Sequence, residues 1–154
     1  MSRYRDVNRK VNVRHQSKVE SFAHFVWATY QRQQILTGEW EETAHRCIRA
    51  EAMRLGCDIL ALNGMPDHVH VVVKLHASVS YSQFANQIKG VSSALLNDLR
   101  EENTEIFRWQ SGYASFSLSR SHLSRVVAYV DNQKKHHANQ KIWPEWEEVE
   151  KRQT

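Results

Sequence analysis

Two histidines one residue apart, His68-Val69-His70, open onto a run of three valines, Val71-Val72-Val73. Side chains two apart on an extended strand share a face, so both imidazoles would point one way while Val69, Val71 and Val73 point into a core. Two imidazoles held close together are costly to protonate at once, and a divalent cation is the usual reason to place them so. On its own, a His-x-His triplet more often belongs to an ordinary surface or structural strand. Further along, Tyr129 and Gln133 stand four residues apart, followed by Lys134, Lys135, His136 and His137. That spacing stacks two side chains on one face of a helix. A phenol with a pKa of about 10 is a poor nucleophile at neutral pH. A metal that polarises the attacked phosphate, together with nearby positive charge, would bring it within reach. Gln133 offers a neutral amide oxygen as a third ligand. With no metal at hand, Tyr129 reads as a core aromatic and Gln133 as a solvated helix residue.

These residues need a frame. The aromatic and β-branched stretch from Phe22 to Tyr30 predicts a strand. Glu39 to Leu55 predicts a helix, with Trp40, Ala44, Cys47, Ile48 and Leu55 at helical spacing and Gly56 at the position of a C-terminal cap. Cys57 to Asn63 reads as a short strand, Asn63-Gly64 as a turn signal, and His68 to Leu75 as the next strand. Ser80 and Gln83 form a capping box. Tyr81, Phe84, Ile88, Val91, Leu95 and Leu99 then keep one apolar face as far as Arg100. In Gly112 to Leu118, Ala114, Phe116 and Leu118 alternate with Tyr113, Ser115 and Ser117, as in a strand with one solvated face. Ser121 can cap a last helix running to about His137. The order β-α-β-β-α-β plus a third helix predicts an α+β fold of the ferredoxin-like, RRM-like kind. The expectation is an antiparallel sheet with two main helices on one face, the other face open to a ligand, and Tyr129 on the C-terminal helix.

The chain has 154 residues, room for one domain with a real core. It divides into a basic arm over residues 1–20, a domain over 21–140 and an acidic tail over 141–154. The arm carries Arg3, Arg5, Arg9, Lys10, Arg14 and Lys18 against Asp6 and Glu20. The tail holds Trp143-Pro144-Glu145-Trp146 and further glutamates. Lys and Arg exceed Asp and Glu by 21 to 17, a mild excess for a polyanion partner. A basic arm can follow phosphates, or be a solvated tail. No run approaches the roughly 18 apolar residues of a membrane span. The N-terminus lacks the apolar centre of a signal peptide, so the expected location is the cytoplasm, at the nucleoid when acting. Cys47 and Cys57 fit no zinc spacing and read as core residues.

Four segments, in order, carry a resemblance. They are Met65-Pro66-Asp67-His68-Val69-His70, then Gln87-Ile88-Lys89-Gly90-Val91-Ser92-Ser93, then Phe107-Arg108-Trp109-Gln110-Ser111-Gly112-Tyr113, and Tyr129-Val130-Asp131-Asn132-Gln133 with His136-His137. Over about residues 22 to 140 the chain resembles HUH endonucleases in the form of TnpA-type single-tyrosine transposases of small bacterial and archaeal insertion sequences. The sister group, transposases associated with repetitive extragenic palindromes, shares the His pair but typically carries Asn-Pro after the tyrosine. Asn132-Gln133 and His136-His137 resemble the insertion-sequence branch instead.

The resemblance implies a mechanism. Tyr129 would attack a phosphodiester in single-stranded DNA bearing subterminal hairpins, form a 5′-phosphotyrosine and release a 3′-hydroxyl. A strand end would later attack that linkage, without water or ATP. It also implies that His68 and His70 bind Mg²⁺ or Mn²⁺ with Gln133 as third ligand. A homodimer whose tyrosine helix docks on the other subunit's His pair is implied as well. Lys89, Arg108, Arg120, Lys134 and Lys135 are candidate phosphate partners. Trp109 or Tyr113 is a candidate for base stacking, with core packing the equal alternative for Trp109. His136 and His137 would contact phosphate, shape the active site or lie on the helix surface. His15, His24, His45, His76 and His122 have no partner at metal spacing and receive no role. Two other functions fit the same residues: a domesticated relative that binds hairpin DNA or RNA without cutting, and a metal-dependent nuclease that uses water.

Overall fold

Alternation along the first strand sets the architecture. In β1 (Ser21–Ala28), Ala23, Phe25 and Trp27 alternate with His24, Val26 and Ala28, and all six are buried. A strand buried on both faces must lie inside a sheet with layers on either side. In the computed structural model, which describes residues 17–138, it does. The other strands are β2 (Asp58–Met65), β3 (His68–Leu75) and β4 (Ala114–Leu118), in the order β2-β3-β1-β4. Every neighbouring pair is antiparallel. This is the expected ferredoxin-like sheet. The basic arm up to residue 16, with His15, and the acidic tail lie outside the described residues.

The helices α1 (Glu39–Arg54) and α2 (Tyr81–Leu99) cover one face. Phe25, Trp27, Val69, Val71 and Val73 meet Ile48, Ala52, Phe84, Ala85 and Ile88 there. Gly56 follows α1 with φ +74°, in the left-handed region a C-terminal cap requires. Ser80 caps α2 by accepting from the Gln83 amide at 3.1 Å. The buried stripe of α2 differs from the expected one. It runs Phe84, Ala85, Ile88, Ser92 and Leu96, while Leu95 and Leu99 are 37% and 59% exposed. Two small side chains, Ala85 and Ser92, bring the helix close to the sheet and turn the larger leucines outward. The Ser92 hydroxyl donates to the Ile88 carbonyl and accepts from the Trp109 indole at 2.8 Å. Cys47 and Cys57 are buried and unbridged, as expected.

The opposite face is not open. The C-terminal segment folds as two helices, α3 (Arg120–Asp131) and α4 (Gln133–Ala138), and packs across it. Val126, Tyr129 and Val130 of α3 meet Ala61 and Val72 of the sheet. The N-cap of α3 is Ser119, two residues before the expected Ser121, and Asn132 breaks the predicted single helix.

Asn63-Gly64 is not a turn either. β2 continues through it to Met65, with Asn63 opposite His70 and Gly64 opposite Val69, and the chain turns at Pro66-Asp67. Gly64 serves close approach instead. A Cβ there would collide with the His68 carbonyl oxygen and lie 3.0 Å from the Val69 Cα. Gly64→Ala therefore has to push β2 away from β3 beside the histidines. We expect a loss of about 1–3 kcal/mol in stability, the range for overpacking a tight site, read from urea unfolding. An unchanged midpoint would show that the two strands have slack here.

Candidate active site

His68 and His70 share a buried face of β3, 3% and 0% exposed, with ring centroids 5.1 Å apart. Each ring is held from outside through Nδ1. The Asp67 carboxylate lies 2.7 Å from Nδ1 of His68. A carboxylate can only accept, so His68 carries its proton on Nδ1 and turns Nε2 toward the site. Nδ1 of His70 lies 2.9 Å from Nε2 of His24 on β1. The His24 and His70 rings are nearly parallel, 5.1 Å apart at 21°.

Asp67 is itself fixed. Its backbone carbonyl accepts from the Thr29 amide at 2.9 Å, and the Thr29 hydroxyl donates to the Gln33 carbonyl at 2.7 Å. Between them Gln31 and Arg32 have φ of +52° and +55°. Such conformations each cost roughly 1–3 kcal/mol in a non-glycine residue. Here they bring the Arg32 guanidinium to 3.4 Å from Asp67 Oδ2. Burial alone would raise the Asp67 pKa. The hydrogen bond and charge of His68, with Arg32, outweigh it and hold the carboxyl below its ordinary value.

The third component comes from α3 and α4. Tyr129 is 3% exposed, its ring 6.1 Å from that of His70 and stacked on His136 at 4.9 Å and 16°. Gln133 is fully buried, with its amide nitrogen 3.4 Å from Nε2 of His68. Although Asn132 departs from helical geometry, its amide still bonds the Ala128 carbonyl and its carbonyl accepts from His136. The turn is kept, and Tyr129 and Gln133 both face the histidines. His137 closes the other side, 5.1 Å from the His68 ring. Asn63 and Lys134 tie this corner to β2. Asn63 donates to the Asp131 carbonyl at 3.1 Å, and the Lys134 ammonium reaches Asn63 Oδ1 at 2.9 Å, the Gly64 carbonyl at 3.2 Å and Glu41 at 3.1 Å.

The donor set suits a divalent cation. Among the described residues no three His, Cys, Asp or Glu side chains gather at metal spacing. Two imidazoles and an amide do gather. An amide flip exchanges oxygen for nitrogen with no change of shape, so Gln133 can turn Oε1 toward whatever sits on His68 Nε2.

The matched family model, described as Transposase IS200 like, spans residues 17–133. The chain belongs to the IS200-like transposase family. It is 24% identical over 114 residues to the ISDra2 transposase TnpA of Deinococcus radiodurans, an alignment covering 71% of this chain and 81% of that protein. Two solved structures share the transposase's fold. One is a transposase from Deinococcus radiodurans R1, with TM-score 0.61 and 24% identity, covering 77% of this chain and 95% of that one. The other is a REP-associated tyrosine transposase bound to a REP hairpin, with TM-score 0.60 and 16% identity, covering 80% and 72%.

The remaining candidates divide. Trp109 is committed to the interior: its indole N–H bonds Ser92 and its ring meets Trp27 and Phe107 edge-on at 6.0 and 4.8 Å. Tyr113 packs against the helix-side core. The Lys89 ammonium donates to the carbonyls of Gln110 and Gly112 at 2.8 and 2.7 Å, and burial lowers its pKa. Lys89 therefore fastens the segment before β4 rather than offering a surface charge. Arg108 is exposed and lies 4.1 Å over the Tyr30 ring. Arg120 is exposed and pairs with Glu20 at 3.2 Å, and Lys135 is exposed. The sequence reading missed His24, Arg32 and the anchoring role of Asn63. His24 had one legible signal, a histidine at an alternating position of an otherwise apolar strand. Its partner emerges only from the β1–β3 register.

In this transposase the helix-to-sheet tie predicts a local effect. Asn63→Ala removes the bond to the Asp131 carbonyl and one partner of Lys134. Stability should fall by about 1 kcal/mol, and amide exchange should quicken over residues 131–138 more than elsewhere. Uniform protection in the variant would mean that other contacts hold α4.

Proposed function

We propose that this transposase cleaves and rejoins single-stranded DNA at insertion-sequence ends, with Tyr129 as nucleophile and Mg²⁺ or Mn²⁺ bound by His68, His70 and Gln133. The convergence of a phenol, two imidazoles and an amide on one sheet face carries the reading. When bound, the cation supplies Lewis-acid polarisation of the scissile phosphate.

The chain's own residues do the rest. Asp67 and His24 orient the two imidazoles. The tie of Asn63 and Lys134 holds Gln133 against His68. His136 lies flat against Tyr129, and the His137 ring sits 5.1 Å from that of His68 at 50°, so two further imidazoles line the place where a phosphate would sit. In the cleavage step the Tyr129 oxygen bonds to phosphorus, the bond to the 3′ oxygen breaks, and the phenolic proton ends on the released 3′-hydroxyl. A 5′-phosphotyrosine remains. Rejoining reverses this, with a 3′-hydroxyl displacing the phenol, so neither water nor a nucleotide is consumed.

Access requires movement, because Tyr129 is almost wholly buried. The face that α3 covers on its own sheet is the face a partner's α3 would cover in an exchanged homodimer. We include such a homodimer in the reading. The relative solved with a REP hairpin makes a hairpin-bearing strand the substrate to try.

The test is a denaturation-resistant adduct between the protein and labelled single-stranded DNA carrying a hairpin from its native flanks, in Mg²⁺. Wild type should form it. Tyr129→Phe should form none, and His68→Ala should form it about 100-fold more slowly, as when one electrostatic stabiliser is lost. An adduct with Tyr129→Phe, or hydrolysed product with no adduct, would overturn the nucleophile assignment.

A further inference from the structure

We infer that His24 is the positioning residue that sets the proton arrangement of His70, and through it the metal affinity of the site. The inference rests on the metal-ligand reading of His70. His24 lies on β1, diagonal to His70 across the central strand pair, because Val26 faces His70 and His24 faces Val72 in the register. It is fully buried between the His70 ring and the Phe116 ring, 5.8 Å away. A histidine buried at the sheet's centre is costly to desolvate. A valine would fill this strand position with fewer polar atoms.

The chemistry follows from counting protons. Two neutral imidazoles meeting nitrogen to nitrogen at 2.9 Å share one proton, so one ring donates and the other accepts. If His24 donated from Nε2, His70 would carry its own proton on Nε2 and could not ligate through that atom. If His24 accepts, His70 is protonated at Nδ1 and its Nε2 holds a lone pair for a cation. The first histidine of the pair already follows this scheme, with Asp67 accepting at its Nδ1. His24 does for His70 what Asp67 does for His68, with a neutral acceptor in place of a carboxylate. One ligand is thereby made more basic than the other, as outer partners of metal-bound histidines commonly do.

Two readouts test this. The first needs no metal: long-range ¹H–¹⁵N spectra of histidine-labelled protein report which ring nitrogen carries the proton. His70 should be protonated at Nδ1 and bare at Nε2 in wild type, and should lose that preference in His24→Phe. The second is Mn²⁺ binding by titration calorimetry. His24→Phe should weaken it by about 10- to 100-fold, the usual range for a lost outer partner. His24→Gln, whose amide oxygen reaches about as far as Nε2, should restore most of the affinity.

A wild-type His70 protonated at Nε2 would overturn the inference even if His24→Phe failed to fold. So would equal Mn²⁺ affinity in wild type and His24→Phe, or equal weakening by His24→Phe and His24→Gln. Failure of wild type to bind Mn²⁺ at all, with the His70 proton on Nδ1, would instead count against the ligand reading.

Discussion

The two-residue period of β3 is the constraint on which the site depends. Val69, Val71 and Val73 are packed into the helix-side core, and a slip of one residue would carry them to the other face. Each buried valine is worth about 1.5–3 kcal/mol in transfer from water. Holding three of them in place fixes His68 and His70 on the opposite face, so the hydrophobic effect sets the site's geometry. β1 and β2 flank β3 on both sides, so its backbone has little freedom left. Gly64 removes the one side chain that would keep β2 from closing beside the histidines.

On the site face a different economy applies. Polar groups buried there must find partners, and they find them in layers. Asp67 meets His68, Arg32 meets Asp67, and the left-handed residues Gln31 and Arg32 supply the reach. His24 meets His70. The strained turn and the buried histidine pair both run against local preference, and both adjoin the same two rings. Breaches of local rules concentrated at one spot mark where function has been favoured over stability.

Much of this was legible in the sequence. The element order gave the ferredoxin-like sheet because strand alternation and helical spacing are local signals. The His-x-His strand and the Tyr129–Gln133 spacing located the residues that the structure brings together, His68 and His70 on β3 and Tyr129 and Gln133 on the C-terminal helices. What stayed hidden was long-range. His24 looked partnerless because its partner is 46 residues away and is reached through register. Asn63-Gly64 looked like a hairpin turn because turn chemistry and close strand approach both favour glycine. The C-terminal helix was expected to be continuous and the second sheet face open. Packing of α3 and α4 across that face, tied down by Asn63 and Lys134, belongs to tertiary structure that no local pattern announces. Trp109 and Lys89 carry residue types that suit DNA, and only their interior partners assign them to the scaffold.

In the proposed site, two strand histidines and a helix amide hold one cation. Pulsed electron paramagnetic resonance of Mn²⁺ added to the protein tests it most directly, because imidazole nitrogens couple to the electron spin. Couplings from two histidines are expected, reduced to one in His68→Ala and in His70→Ala taken singly and absent when both are replaced. A Mn²⁺ signal with water couplings alone, or histidine couplings that survive the double replacement, would contradict it.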